Sequence, residues 1–301
     1  MRKEAHDRRA YWVRELAVLS GSFGDDSSRM MSELAAELAR DGGEALVDHL
    51  RTCAAIPEGY GHDSSEEKLY SKYTDAVVSL ALSALGLKCV VLEERGDSAD
   101  VQARGSGYSL VADAKAFRLS RTAKNQKDFK VQAMDGWRGT LDYAFVVCPI
   151  YQLPARTSQI YQQAISRNVC VLSYSHIAAL VRLAAVSDAG KAEHALHTVL
   201  KAVATLHPSK SAPDYWQGIN RALLDGLGSH SALWTQEKVA SLEALTAAKE
   251  EALNVLRAER GRLLGLNHQQ ALDELMRRTG LVARIAQVEQ VEHGGLLGVG
   301  V

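Results

Sequence analysis

The chain has 301 residues, 47% of them hydrophobic, with 35 basic and 36 acidic side chains and a net charge of -1. That is enough apolar material for a large core, and the even charge balance excludes a global attraction to a polyanion, so any nucleic-acid contact must be built locally. No run of about 20 apolar residues is present to span a bilayer, and the start MRKEAHDRRAYWVREL is charged and amphipathic where a secretion signal would be apolar, so a cytoplasmic protein without membrane contact is expected.

From Asp7 to about Ala54 apolar residues recur at three and four positions, the period of helices, with breaks at SGSFGDDSS and RDGG. The loop IPEGYGHDSS ends in Ser64 or Ser65 ahead of Glu66 and Glu67, an N-cap followed by acids suited to the positive end of a helix, and SEEKLYSKYTDAVVSLALSAL continues with helical spacing. Five β-like runs come next: KCVVLEE, DVQAR, YSLVADAKA, YAFVVCPI and NVCVLSYS. GSG supplies a tight hairpin between the second and third, and ARTSQIYQQAIS reads as a helix between the fourth and fifth. A mixed α/β fold with a central sheet flanked by helices is the economical architecture. After Ser175 the pattern is helical again, ending in a long segment from about Leu233 to Arg260 whose Val239, Leu242, Leu245, Leu253 and Leu256 share a face. That face is expected to cover a core, with a dimer contact as the alternative.

Cys53, Cys89, Cys148 and Cys170 show no C-x-x-C spacing, and the last three sit in apolar runs, so reduced core residues are expected. The ten histidines form no H-E-x-x-H pair; His176, at a strand-to-helix junction, reads as a cap or core residue.

The chemistry concentrates in YSLVADAKAFRLSRTAKNQKDFKV. On a strand, Asp113 and Lys115 point to the same face, about 6 to 7 Å apart. The preceding hairpin arm begins at Asp100, which brings a second carboxylate across to the first, and Glu93 or Glu94 can supply a third. Clustered carboxylates raise one another's pKa unless a cation sits between them, and oxygen-only ligands favour a hard ion such as magnesium. A lysine beside such an ion can orient water and neutralise charge on phosphorus, which together describe phosphodiester hydrolysis. The plain alternative is a solvent-exposed pair on a strand with Asp100 an ordinary turn acid; the apolar SLVA leading into the pair favours a site at the end of a buried strand.

Lys115, Arg118, Arg121, Lys124, Lys127 and Lys130 recur at every third residue against the single acid Asp128. They suit contact with a phosphate backbone, or form a merely solvated face. Asn125, Gln126 and Asp128 within that stretch carry the amide and carboxylate groups that base reading uses.

SSEEKLYSK, LEERGDSADV and above all LVADAKAFRLSRTAKNQKDFKV resemble the corresponding segments of the HindIII family of type II restriction endonucleases, in the PD-(D/E)xK nuclease superfamily. Weaker similarity extends through YAFVVCPIYQLPARTSQIYQQAI and LNHQQALDELMRRTGLVARI. The resemblance implies a restriction-endonuclease-like core. Asp100 takes the place of the first acid, Asp113 the second and Lys115 the lysine, although Ala99 stands where proline is frequent and Asp113 where glutamate is. It further implies that Asp100, Asp113 and the Ala114 carbonyl hold Mg2+, with Glu93, Asp128 and Glu67 as secondary site residues. The run from Ala123 to Lys130 matches the DNA-contacting segment, with Asn125, Lys127 and Asp128 as base contacts. One catalytic unit is expected over 1–301: an N-terminal helical region over 1–56, a nuclease core with its DNA-reading segment over 57–185 and a C-terminal helical region over 186–301.

The implied activity is magnesium-dependent cleavage of double-stranded DNA at a short palindrome, AAGCTT or a close relative, leaving 5′ overhangs, by a homodimer paired in function with a cognate methyltransferase. A repair or recombination nuclease and a non-catalytic DNA-binding relative are the alternatives. The chain lacks N-P-P-Y or D-P-P-Y, P-loop and dinucleotide motifs, so the methyltransferase itself, ATP and NAD are not implied.

Overall fold

The sheet comes from the five short runs with high β-branched and aliphatic content. In the computed structural model, which describes residues 1–91, 99–121 and 126–290 and only the backbone of Gln126 and Lys127, they form β1 (Lys88–Val91), β2 (Val101–Arg104), β3 (Ser109–Ala114), β4 (Tyr143–Cys148) and β5 (Val169–Ser173). Their order in space follows the chain, β1-β2-β3-β4-β5. The first three are antiparallel and the last three parallel. Glu93 and Glu94 lie outside the described residues.

β3 is therefore the strand at which the sheet changes direction. Its left neighbour arrives through a hairpin, in which the Gly105 amide donates to the Tyr108 carbonyl at 2.8 Å. Its right neighbour, β4, needs a crossover, supplied by α4 (Val131–Arg138), and α5 (Gln159–Ser166) repeats the crossover to β5. Right-handed crossovers running in one direction place these two helices on the same face of the sheet. β4 and β5 are buried almost throughout, as parallel strands covered on both faces must be.

α3 (Ser65–Ala84) packs along β1, β2 and β3 and against α2 (Phe23–Thr52). Ser64 caps α3 by accepting from the Glu67 amide at 3.3 Å, as the S-S-E-E pattern predicts. α2 bends at Gly42, whose φ of 73° suits a residue without a Cβ and which falls in the expected RDGG break. α6 (Tyr174–Val186) begins with a capping box in which His176 Nδ1 accepts from the Ser173 amide at 3.2 Å and Nε2 lies 3.0 Å from Asn220. Burial lowers the His176 pKa to about 4, and the ring is a neutral structural cap. All four cysteines are free; Cys53, Cys148 and Cys170 are buried and Cys89 is half-buried.

The residues fall into two compact units, Met1–Ala252 and Leu253–Val301. In the first, α1 (Lys3–Glu15) is fastened by the buried Arg9, which donates to the Thr52 and Ala55 carbonyls at 3.0 and 2.7 Å and to Glu251 at 2.9 Å. The long helix α9 (Ala232–Leu264) differs from expectation. Val239 and Leu242 face solvent, and the buried residues are Leu233, Trp234, Glu237, Ser241, Ala244 and Ala252. Glu237 tolerates this because Arg51 meets it at 2.6 Å and Arg182 at 3.7 Å. In the second unit, α10 (His268–Thr279) starts with an Asn267 capping box, and Glu274 collects Arg262, Arg277 and Arg278. Among the described residues no helix is long and apolar enough to cross a membrane.

Candidate active site at the end of β2 and β3

Register brings the two acids together. Val101 pairs with Ala112, so Asp100, one residue before Val101, comes opposite Asp113, one residue after Ala112. Asp113 is fully buried, which removes the reading of a solvent-exposed strand pair. Asp100 Oδ2 accepts from the Ala114 amide at 3.3 Å. Asp100 is pushed up to about 6, first by burial and then by repulsion from Asp113.

Lys115 is held in place by the sheet. Its amide donates to the Val147 carbonyl at 2.9 Å, and its own carbonyl accepts from the Tyr174 hydroxyl at 3.0 Å. Its ammonium pairs with Asp113 Oδ2. That buried oxygen has no well-directed hydrogen bond among the described residues, only this electrostatic contact.

Two further residues enter the site that sequence reasoning did not assign to it. Asp75, on the buried face of α3, has its carboxyl raised well above the ordinary range by burial and then by Asp100; Lys72 lies 3.5 Å away, one turn earlier. The available signal was a lone carboxylate inside the apolar run of that helix. Lys130, expected to serve only as a phosphate anchor, reaches Asp113 Oδ1 at 3.3 Å. Asp75, Asp100, Lys68, Lys72, Lys115 and Lys130 line a cleft of about 680 Å³.

The other expected residues distribute differently. Glu67 accepts from the Asp63 amide at 2.9 Å and from Arg118 at 3.0 Å. Arg118 also donates to the carbonyls of Glu58, Tyr60 and Gly61 at 3.3, 2.8 and 2.9 Å, so its guanidinium organises the loop ahead of α3. Arg121 lies over the Phe117 ring at 4.6 Å and donates to Asp128 at 2.7 Å. Glu93, Lys124 and Asn125 lie outside the described residues, as does the Lys127 side chain.

Among the described residues no three His, Cys, Asp or Glu side chains gather to enclose an ion by themselves. The two carboxylates that the register sets opposite each other, Asp100 and Asp113, offer only oxygen donors, the chemistry that suits a hard divalent ion.

This geometry accords with the comparison to known proteins. A family model described as HindIII restriction endonuclease matches residues 9–292. The chain belongs to that family. The type II restriction enzyme HindIII of Haemophilus influenzae is 45% identical over 140 residues, which make up 46% of this chain and 47% of that protein. The aligned part thus spans about half the length of the curated relative.

Proposed function

We propose that this protein is a magnesium-dependent type II restriction endonuclease that hydrolyses phosphodiester bonds of double-stranded DNA at a short palindrome, AAGCTT or a close relative, leaving 5′ overhangs. The observation that carries the reading is the pairing of Asp100 and Asp113 beside Lys115, in a chain of this family. Asp100, Asp113 and the Ala114 carbonyl would hold the ion, which when bound polarises a phosphoryl oxygen and lowers the pKa of a water. Lys115, fixed by Asp113 and the sheet, holds the attacking water in line and sets positive charge beside the phosphorus as negative charge develops there. Asp75 faces the same cleft.

Arg121, Lys124 and Lys127 anchor backbone phosphates in this reading, and Asn125, Lys127 and Asp128 read base edges. A palindrome cut on both strands calls for a two-fold assembly, so the working form is a homodimer, each copy cutting one strand, and a cognate methyltransferase protects the host sites. The enzyme acts in the cytoplasm.

The test is incubation with a long duplex of known sequence, with magnesium or with EDTA, followed by sequencing of the fragment ends. Discrete ends at one palindrome, only with magnesium, are expected. Cutting without a common sequence would replace this reading with a repair-type nuclease, and binding without cutting with a non-catalytic relative.

A further inference from the structure

We propose that Lys130 is a built-in counter-ion that occupies the divalent cation's place on Asp113 and has to leave before the ion binds. The inference rests on the endonuclease reading and adds to it a residue that regulates access to the carboxylates. Asp113 is gripped on both oxygens: Lys115 pairs with Oδ2, and the Lys130 ammonium lies 3.3 Å from Oδ1. Only the first contact belongs to the acid-x-lysine pattern. The second closes the oxygen that a bound ion would use.

The two lysines differ in how they are held. Lys115 is sheet-bound and its side chain is 12% exposed, whereas that of Lys130 is 40% exposed and faces the cleft. The Lys130 backbone is left-handed, with φ 45° and ψ 25°, unfavourable for a residue with a Cβ, and its carbonyl accepts from the Met134 amide at 2.8 Å at the start of α4. Its main chain is therefore pinned while the flexible four-carbon stem can swing. A divalent ion on Oδ1 of Asp113 would need the position this ammonium holds, so the two compete for that oxygen, while Lys115 keeps Oδ2. The ammonium also lies over the Trp137 ring, 4.9 Å from its centroid, so its departure would be reported by a built-in optical probe.

The experiment is titration of the full-length protein with Mn2+ alone, without DNA, at pH 8, by calorimetry and tryptophan fluorescence, for the wild type, Lys130→Met, Lys130→Gln and Asp113→Asn. Both Lys130 variants are expected to bind Mn2+ about tenfold more tightly than wild type, and Asp113→Asn to lose the site. Unchanged or weaker affinity in two folded Lys130 variants, with binding still lost in Asp113→Asn, overturns the counter-ion proposal alone. Wild-type affinity in Asp113→Asn instead overturns the assignment of the metal site itself, and the counter-ion proposal with it.

Discussion

Replacing Asp100 with asparagine should make the protein more stable while destroying its activity. The Asp100 carboxyl is held at about 6 against an ordinary 3.8, so its ionised form is disfavoured in the fold by an upper limit of about 3 kcal/mol. Because the folded pKa is the raised one, this stability is present below the unfolded value near 3.8 and lost as pH climbs through about 6. Asparagine keeps an oxygen for the Ala114 amide, which now donates at 3.3 Å, and carries no charge to desolvate. It also leaves Lys115 and Lys130 facing a single carboxylate, a small opposing repulsion, so a net gain of about 1–2 kcal/mol at pH 8 is expected. Urea denaturation in EDTA at pH 4 and pH 8 reads it directly: the variant should match wild type at the lower pH and exceed it at the higher. A variant no more stable than wild type at pH 8 would show that the raised carboxyl is not an electrostatic burden on the fold. Magnesium should then raise the stability of wild type, by about 2.7 kcal/mol at a hundred times its Kd, and leave the variant unchanged.

Asp113→Ala and Lys115→Ala should each abolish cleavage, measured on a cognate duplex, while far-UV circular dichroism stays native; near-normal turnover in either would remove the proposed site. Arg118→Ala should lower stability by about 2–4 kcal/mol, since four acceptors lose their donor. In the same variant the salt dependence of DNA binding should keep its slope, and a fall of about one in that slope would return Arg118 to the phosphate anchors. Asn125→Ala should reduce discrimination between the cognate and a singly altered site by about 1–3 kcal/mol, seen in competitive cleavage; equal loss on both duplexes would make Asn125 a backbone contact.

The sheet was legible because each strand carries its own signal: apolar, β-branched runs bounded by glycine or polar loops, in the order they take in space. Asp113 and Lys115 were legible for the same reason, since strand alternation alone puts them on one face. Asp75 was not, because a carboxylate on the buried side of a helix looks like a breach of pattern until the sheet beneath it is known to carry Asp100 and Asp113. Lys130 was hidden by its neighbours. Its spacing matches that of the other basic residues, and the left-handed backbone at the start of α4 is what sets it apart. The leucine face of α9 misled through an ordinary assumption, that the most apolar stripe is the buried one. The stripe that is buried has Glu237 at its centre, and the partners that make its burial tolerable, Arg51 and Arg182, come from α2 and α6, too distant in sequence for periodicity to register.

Under the proposed function, the cleft would let a chain with a net charge of -1 engage a polyanion. Lys68, Lys72, Lys115 and Lys130 meet there with Asp75 and Asp100, and Asp113 lies at its floor. In the described residues the cations thus outnumber the acids locally, although three of the lysines are already paired, Lys72 with Asp75 and the other two with Asp113. A divalent ion on the acid pair would change that balance twice, by adding its own charge and by releasing Lys130 from Asp113. Attraction for a phosphate backbone would then rise at the place where hydrolysis needs it, and little of it would exist before the ion arrives. On this argument metal and DNA binding are positively coupled, and by linkage each should tighten the other by the same factor. Measuring Mn2+ affinity with and without an uncleavable duplex, and duplex affinity with and without Ca2+, checks the coupling; affinities independent of each other would mean that the released Lys130 never reaches the DNA.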